Sequence, residues 1–169
     1  QLDRTTASAI ILRTDKDGYL RELALPKGHY LPVTGVVPDQ PAETARNFLI
    51  EHRELFAPAG VVGSFSTLKS KRVRDLDYVR LSQQYRGTPV FGGEAIVHLS
   101  DAGRVQYVTT TLSKKLKEVG DNLDILSATV SLERVREIAE NGASRSANVN
   151  QISVTNPILK LFDPTILET

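Results

Sequence analysis

Two runs of alternating residues joined by very short turns constrain this chain most. Tyr78 to Arg86 sets Val79, Leu81, Gln83 and Tyr85 on one face. Val90 to Leu99 sets Ala95, Val97 and Leu99 on one face and Ile96 and His98 on the other. Residues two apart in a strand share a face, so each run reads as a strand with one apolar side. Gly87-Thr88-Pro89 turns the chain between them, and Asp101-Ala102-Gly103 turns it again into Arg104 to Leu112. Val61 to Lys69 supplies an earlier strand, broken off by Arg74-Asp75-Leu76-Asp77. Strands joined by connections this short can only pair with their neighbours antiparallel. The sequence therefore predicts an antiparallel meander with one face in need of cover.

Pro41 to Phe56 is the predicted cover. Gln40 or Asp39 can cap this helix, Pro41 suits its first position, and Glu43 complements the helix dipole. Ala45, Phe48, Leu49, His52, Leu55 and Phe56 recur at helical spacing and form one apolar stripe. Pro58 and Gly60 end it. Upstream, Ala7 to Thr14 and Tyr19 to Leu25 read as two strands around the turn Asp15-Lys16-Asp17-Gly18, followed by an extended connector from Pro26 to Pro38. Downstream, Asp121 to Thr129 reads as a linker. A second helix starts at the cap Ser131, buries Leu132, Val135, Ile138 and Ala139, and stops at Asn141-Gly142. Ala143 to Val149 is loop-like, and Ile158 to Phe162 is a short apolar strand. The expected class is α+β: an antiparallel meander sheet packed against a helix over residues 1–118, then a smaller helix–strand part over 119–169.

Composition agrees with a packed domain. Of 169 residues, 40% are hydrophobic and 24% charged, which excludes a disordered or fibrous chain. The net charge of +1 offers no bulk attraction for nucleic acid or a membrane. The basic runs Lys69-Ser70-Lys71-Arg72-Val73-Arg74 and Lys114-Lys115-Leu116-Lys117 read as solvated faces, with no interleaved aromatics for single-stranded nucleic acid. No cysteine is present, so disulfides and thiolate metal sites are excluded. Methionine is absent as well, even at position 1, which leads us to expect a processed or cut chain.

Catalytic chemistry has few candidates. His29, His52 and His98 are far apart in sequence. Glu51-His52-Arg53-Glu54 resembles a zinc-binding helix only superficially. That motif needs a second His four residues on, and Phe56 stands there. His52 also falls on the apolar stripe, so a partly buried core role fits it better, and His98 suits an exposed or cross-strand place. Gly63-Ser64 lacks the nucleophile-elbow pattern, and no helix follows Gly92-Gly93 to make a phosphate loop. No catalytic residue, metal-ligand set or cofactor is expected of this chain.

The block Leu81-Ser82-Gln83-Gln84-Tyr85-Arg86-Gly87-Thr88-Pro89-Val90-Phe91-Gly92 resembles the hallmark of the fungalysin/thermolysin propeptide family. Gln84, Tyr85, Gly87, Pro89, Val90, Phe91 and Gly92 are the matching positions, and Gly103 matches the following hairpin. The helix ending Leu55-Phe56 is similar to the family's helix, so the likeness spans about residues 40–112. Ser127 to Pro164 more weakly resembles the opening of a PepSY-type domain, which in the family continues beyond a stretch like Leu159 to Pro164. Most motif residues also have a structural explanation. Gly87 permits a positive φ, Pro89 stiffens the next strand, Phe91 can fill the core, and Gly92-Gly93 allows a bulge.

The resemblance implies a non-catalytic, secreted or periplasmic propeptide that helps a thermolysin-like zinc metalloprotease fold and holds it inactive. The zinc would belong to the partner's catalytic domain. Contact residues implied on that footing are Arg72, Arg74, Arg86, Thr88, Phe91, Glu168 and Thr169. A stand-alone protease inhibitor or an extracellular interaction module remains the alternative.

Overall fold

The computed structural model describes residues 10–61, 63–116, 130–147 and 157–167. Six strands form one antiparallel sheet: β1 (Ile11–Thr14), β2 (Leu20–Ala24), β3 (Ser64–Val73), β4 (Leu76–Tyr85), β5 (Thr88–Ser100) and β6 (Val105–Thr111), in the order β1-β2-β6-β5-β4-β3. The last four make the expected meander. The β1–β2 hairpin then adds to its far side through β2 and β6, pairing Leu23 with Val108. The connection from β2 to β3 carries α1 (Pro41–Glu51) and α2 (Arg53–Phe56) across the sheet.

One face of the sheet meets α1. Ala45, Phe48 and Leu49 lie against Val79 and Leu81 of β4, Ala95, Val97 and Leu99 of β5, and Val105 and Val108 of β6 in a single buried cluster. Full burial of a side chain of this size contributes roughly 1.5–3 kcal/mol, so this cluster dominates stability. The opposite face is open and polar-aromatic. There His98 is sandwiched between Tyr78 and Tyr107, with ring centroids 4.1 and 4.7 Å away.

Several local expectations change. The predicted helix breaks at His52, whose φ of −105° and ψ of 22° leave the helical region. Beyond the break Phe56 turns inward, but Leu55 is 52% exposed and leaves the stripe. His52 stays half-buried against Phe48, 4.7 Å between centroids. Gln40 occupies the cap position without a side-chain hydrogen bond, and Asp39 takes a φ of 59° instead of capping. The early strand begins at Ser64 rather than Val61 and runs on to Val73, so the basic run is mostly part of β3.

The second helix, α3 (Leu132–Ala147), starts as expected, with the Ser131 hydroxyl accepting from the Arg134 amide at 3.2 Å. It runs through Asn141-Gly142, because Gly142 lacks the positive φ that ends a helix there. Its expected buried face is exposed: Leu132 is at 57% and Ile138 at 55%, and Val135 and Ala139 are exposed too. The predicted strand Ile158 to Phe162 reduces to a single parallel bridge at Leu161. The linker Asp121 to Thr129 lies outside the described residues.

Candidate interaction surface

The hairpin between β4 and β5 is closed by two residues, Arg86 and Gly87, with φ of 49° and 80°. Two positive φ values in a two-residue loop define a type I′ turn, whose twist matches that of the flanking strands. Gly87 adopts this conformation freely, whereas Arg86 is held in it, its guanidinium 5.3 Å from the Tyr85 ring centre. The register slips between Ser82 and Gln84, so a bulge lies just ahead of the turn. Gly93 is required opposite that bulge. A Cβ there would lie 2.8 Å from the Gln83 side-chain oxygen and 2.9 Å from Val90 Cβ.

Gln83 is completely buried. Its amide takes both main-chain partners of Ser113: Nε2 donates to the Ser113 carbonyl at 3.1 Å, and Oε1 accepts from the Ser113 amide at 2.8 Å. It thus acts like a strand neighbour for the segment leaving β6. The Ser113 hydroxyl donates to Asp163 Oδ2 at 2.5 Å. Asp163 Oδ1 in turn accepts from the Thr165 amide and hydroxyl at 3.0 and 2.7 Å, capping the 3-10 turn Pro164–Leu167. Burial opposes ionisation of Asp163. The hydrogen bonds from Ser113 and Thr165 outweigh it and hold the carboxyl below its ordinary range.

This polar chain docks the C-terminal segment on the motif hairpin. Phe91 N donates to the Leu161 carbonyl at 2.7 Å, and Leu161 N donates to the Pro89 carbonyl at 2.8 Å. Leu161 and Ile166 then close a second, smaller core with Val61, Val90 and Leu116, against which Tyr85 packs. Val90 is the motif's core residue. Phe91, expected to be able to fill the core, points out instead and is 50% exposed. It meets Phe162, 56% exposed, with ring centroids 6.0 Å apart. Lys160 Nζ stands 5.8 Å from the centre of the Phe91 ring.

The expected contact residues do not converge. Arg86, Thr88 and Phe91 share the end of the sheet where the C-terminal segment docks. Arg72 and Arg74 lie at the other end of β4, about 30 Å away at 3.3 Å per strand residue. Arg72 is held by Asp77 at 3.2 Å and lines a cleft of about 360 Å³ with Asp39 and Asp101. Arg74, at φ 56°, sits in the β3–β4 turn. Glu168 and Thr169 lie outside the described residues. Gly92 and Gly103 have φ of 72° and 68°; a Cβ on Gly103 would come 2.7 Å from Val36.

The second basic run also proves structural in part: Lys114 pairs with Asp15 and, at 3.0 Å, with Asp17. Among the described residues, no group of three or more His, Asp or Glu side chains could hold a metal ion. No described helix is long and apolar enough to cross a membrane.

The three strands β4, β5 and β6, with their turns, form the stretch that resembles a known family. Residues 75–112 match the Fungalysin/Thermolysin Propeptide Motif family. The helix 41–56, counted in the resemblance, lies outside that match. The propeptide motif belongs to a non-catalytic region of protease precursors. Within it, Gly87, Val90, Gly92 and Gly103 serve turn and core geometry, while Phe91 serves neither. Among solved structures the chain is similar to the Bacillus megaterium YpeB C-terminal domain, at 13% identity and a TM-score of 0.39. That similarity covers 85% of this chain and 66% of the other, just under two thirds of its length. No curated protein matches the chain.

Sequence reasoning placed Gln83 on the apolar face of β4 but gave it no role, and it passed over Ser113, Asp163 and Ile166. One signal was available: an amide at a position where Val79 and Leu81 set an apolar pattern must find buried partners.

Proposed function

We propose that this chain is the propeptide part of a secreted thermolysin-like zinc metalloprotease precursor, which assists folding of the catalytic domain and blocks it until removed. The observation that carries the reading is the match of residues 75–112 to the propeptide motif. Binding the folded catalytic domain and not its unfolded chain would stabilise it by mass action, and the same contact would cover the cleft. A stable complex of this kind buries at least about 1,000 Å² in total. In this reading the chain divides into a propeptide-type part, 1–118, and a PepSY-like part, 119–169, and the zinc belongs to the partner.

Two arms test the proposal. Unfolded catalytic domain refolded with an equimolar amount of the full chain should recover more activity, once the chain is removed, than with an unrelated folded protein. Equal recovery would remove the chaperone role. For inhibition, replacing Arg72 and Arg74 with Glu should raise the inhibition constant; an unchanged constant would take the β3–β4 end out of the interface.

A further inference from the structure

The end of the sheet near the motif turn carries an apolar surface made by two separate stretches of chain. Phe91 comes from the start of β5. Opposite it, the C-terminal segment buries Leu161 and Asp163 and leaves Ile158, Leu159 and Phe162 exposed, with Phe162 and Lys160 lying against Phe91. Phe91 is 50% exposed and Phe162 56%, with their ring centroids 6.0 Å apart. Exposed apolar groups gathered in one place, with the backbone beneath them fixed, are the mark of an interaction site rather than of scattered surface residues.

The surface is also ordered before any partner arrives. Two main-chain hydrogen bonds join Leu161 to Pro89 and Phe91, and the Ser113–Asp163 bond holds the next turn. Little conformational freedom is left to lose on binding. Lys160 adds a cation at the aromatic pair and forms no ion pair among the described residues.

We propose that Phe91 together with Lys160 and Phe162 forms one composite docking surface for an apolar patch rimmed by carboxylates on the protease catalytic domain. This rests on the propeptide reading above. Charge selects the occupant. A two-fold contact of this patch with a second copy would bring two Lys160 cations into one interface, whereas a carboxylate rim pairs with the single one. The composite construction has a consequence: the surface exists only while the C-terminal segment is docked on the motif hairpin.

The test titrates the full chain and its variants into a mature thermolysin-like zinc metalloprotease and reads the inhibition constant. Phe91→Ala and Phe162→Ala should each weaken inhibition about thirtyfold, as for central aromatic anchors. Lys160→Glu should weaken it about tenfold and flatten its dependence on salt. Leu55→Ala removes an equally exposed side chain from α2 and should change nothing. All four variants alter exposed groups, so their thermal midpoints should stay near that of the parent. Parent-like inhibition by both Phe variants would overturn this surface and leave the propeptide reading standing. No inhibition by the parent chain would overturn this surface and the cleft-blocking role, and leave the folding role to the refolding test. A parent chain that dimerises, with Phe162→Ala monomeric, would assign the surface to a second copy and overturn the proposal.

Discussion

The cluster beneath α1 and the cluster beneath the C-terminal segment rest on the same strands but are held together differently. The first gathers Ala45, Phe48 and Leu49 from a helix and apolar residues from β2 to β6, most of them from elements with their own hydrogen bonding. The second gathers five buried residues, and its outer wall is a segment with one strand bridge and a 3-10 turn. What the second core lacks in apolar area it replaces with the polar chain Gln83–Ser113–Asp163. A large apolar cluster that loses one side chain keeps its other contacts, whereas a buried polar chain that loses one member leaves its neighbours without partners. The difference predicts a sheet that stays folded while the C-terminal segment can be released.

The largest expected effect comes from the first core. Leu81→Ala, at a site with no exposure, should cost about 3–4 kcal/mol and lower the denaturant midpoint of the whole sheet. Gln83→Ala ranks next, because it strands the amide and carbonyl of Ser113 without partners. It should cost about 2–3 kcal/mol. Proteolysis should then show the C-terminal segment cut before the meander. Simultaneous loss of both would show that the two clusters form one cooperative unit.

Acid should separate the two regions further. The Asp163 carboxyl lies below its ordinary value of 3.8, so its contribution is complete above that value and is lost as pH falls through the lower folded one. His98 is held neutral by burial below its ordinary 6.5, so the sheet loses some stability as pH drops from 6.5 towards its folded value. Hydrogen exchange at Leu161 should therefore accelerate sharply only in strong acid, and in Asp163→Asn that acid step should vanish. An unchanged acid step in Asp163→Asn would assign it to another group. The smallest effect is expected at the open face, where Arg80 and Glu94 meet at 2.6 Å with the Arg side chain 53% exposed. Glu94→Gln should cost about 0.5 kcal/mol or less in chemical denaturation.

The same contrast explains what could be read from sequence. Period-two alternation around Val79 and Leu81 and around Ala95, Val97 and Leu99, with glycine turns at Gly87 and Gly103, marked the meander because strand pairing there is local. Helix α1 was legible from its stripe, but the break at His52 was not, since the spacing of Leu55 and Phe56 continues the stripe without interruption. Docking of residues 157–167 was hidden for another reason. Leu161 finds Pro89 and Phe91 about 70 residues away in sequence, through one bridge that no periodicity announces. Phe91 carries two expectations, core and contact, because an aromatic in a motif strand fits the core and the surface equally well. Only the neighbouring Val90, pointing inward, decides between them.

Whether the chain blocks its protease is read most directly from peptide cleavage, with the purified, folded chain titrated into a mature thermolysin-like protease, ideally one encoded with it. Dose-dependent inhibition should reach completion near one chain per enzyme. Undiminished cleavage by the cognate enzyme with the folded chain at micromolar concentration would contradict it.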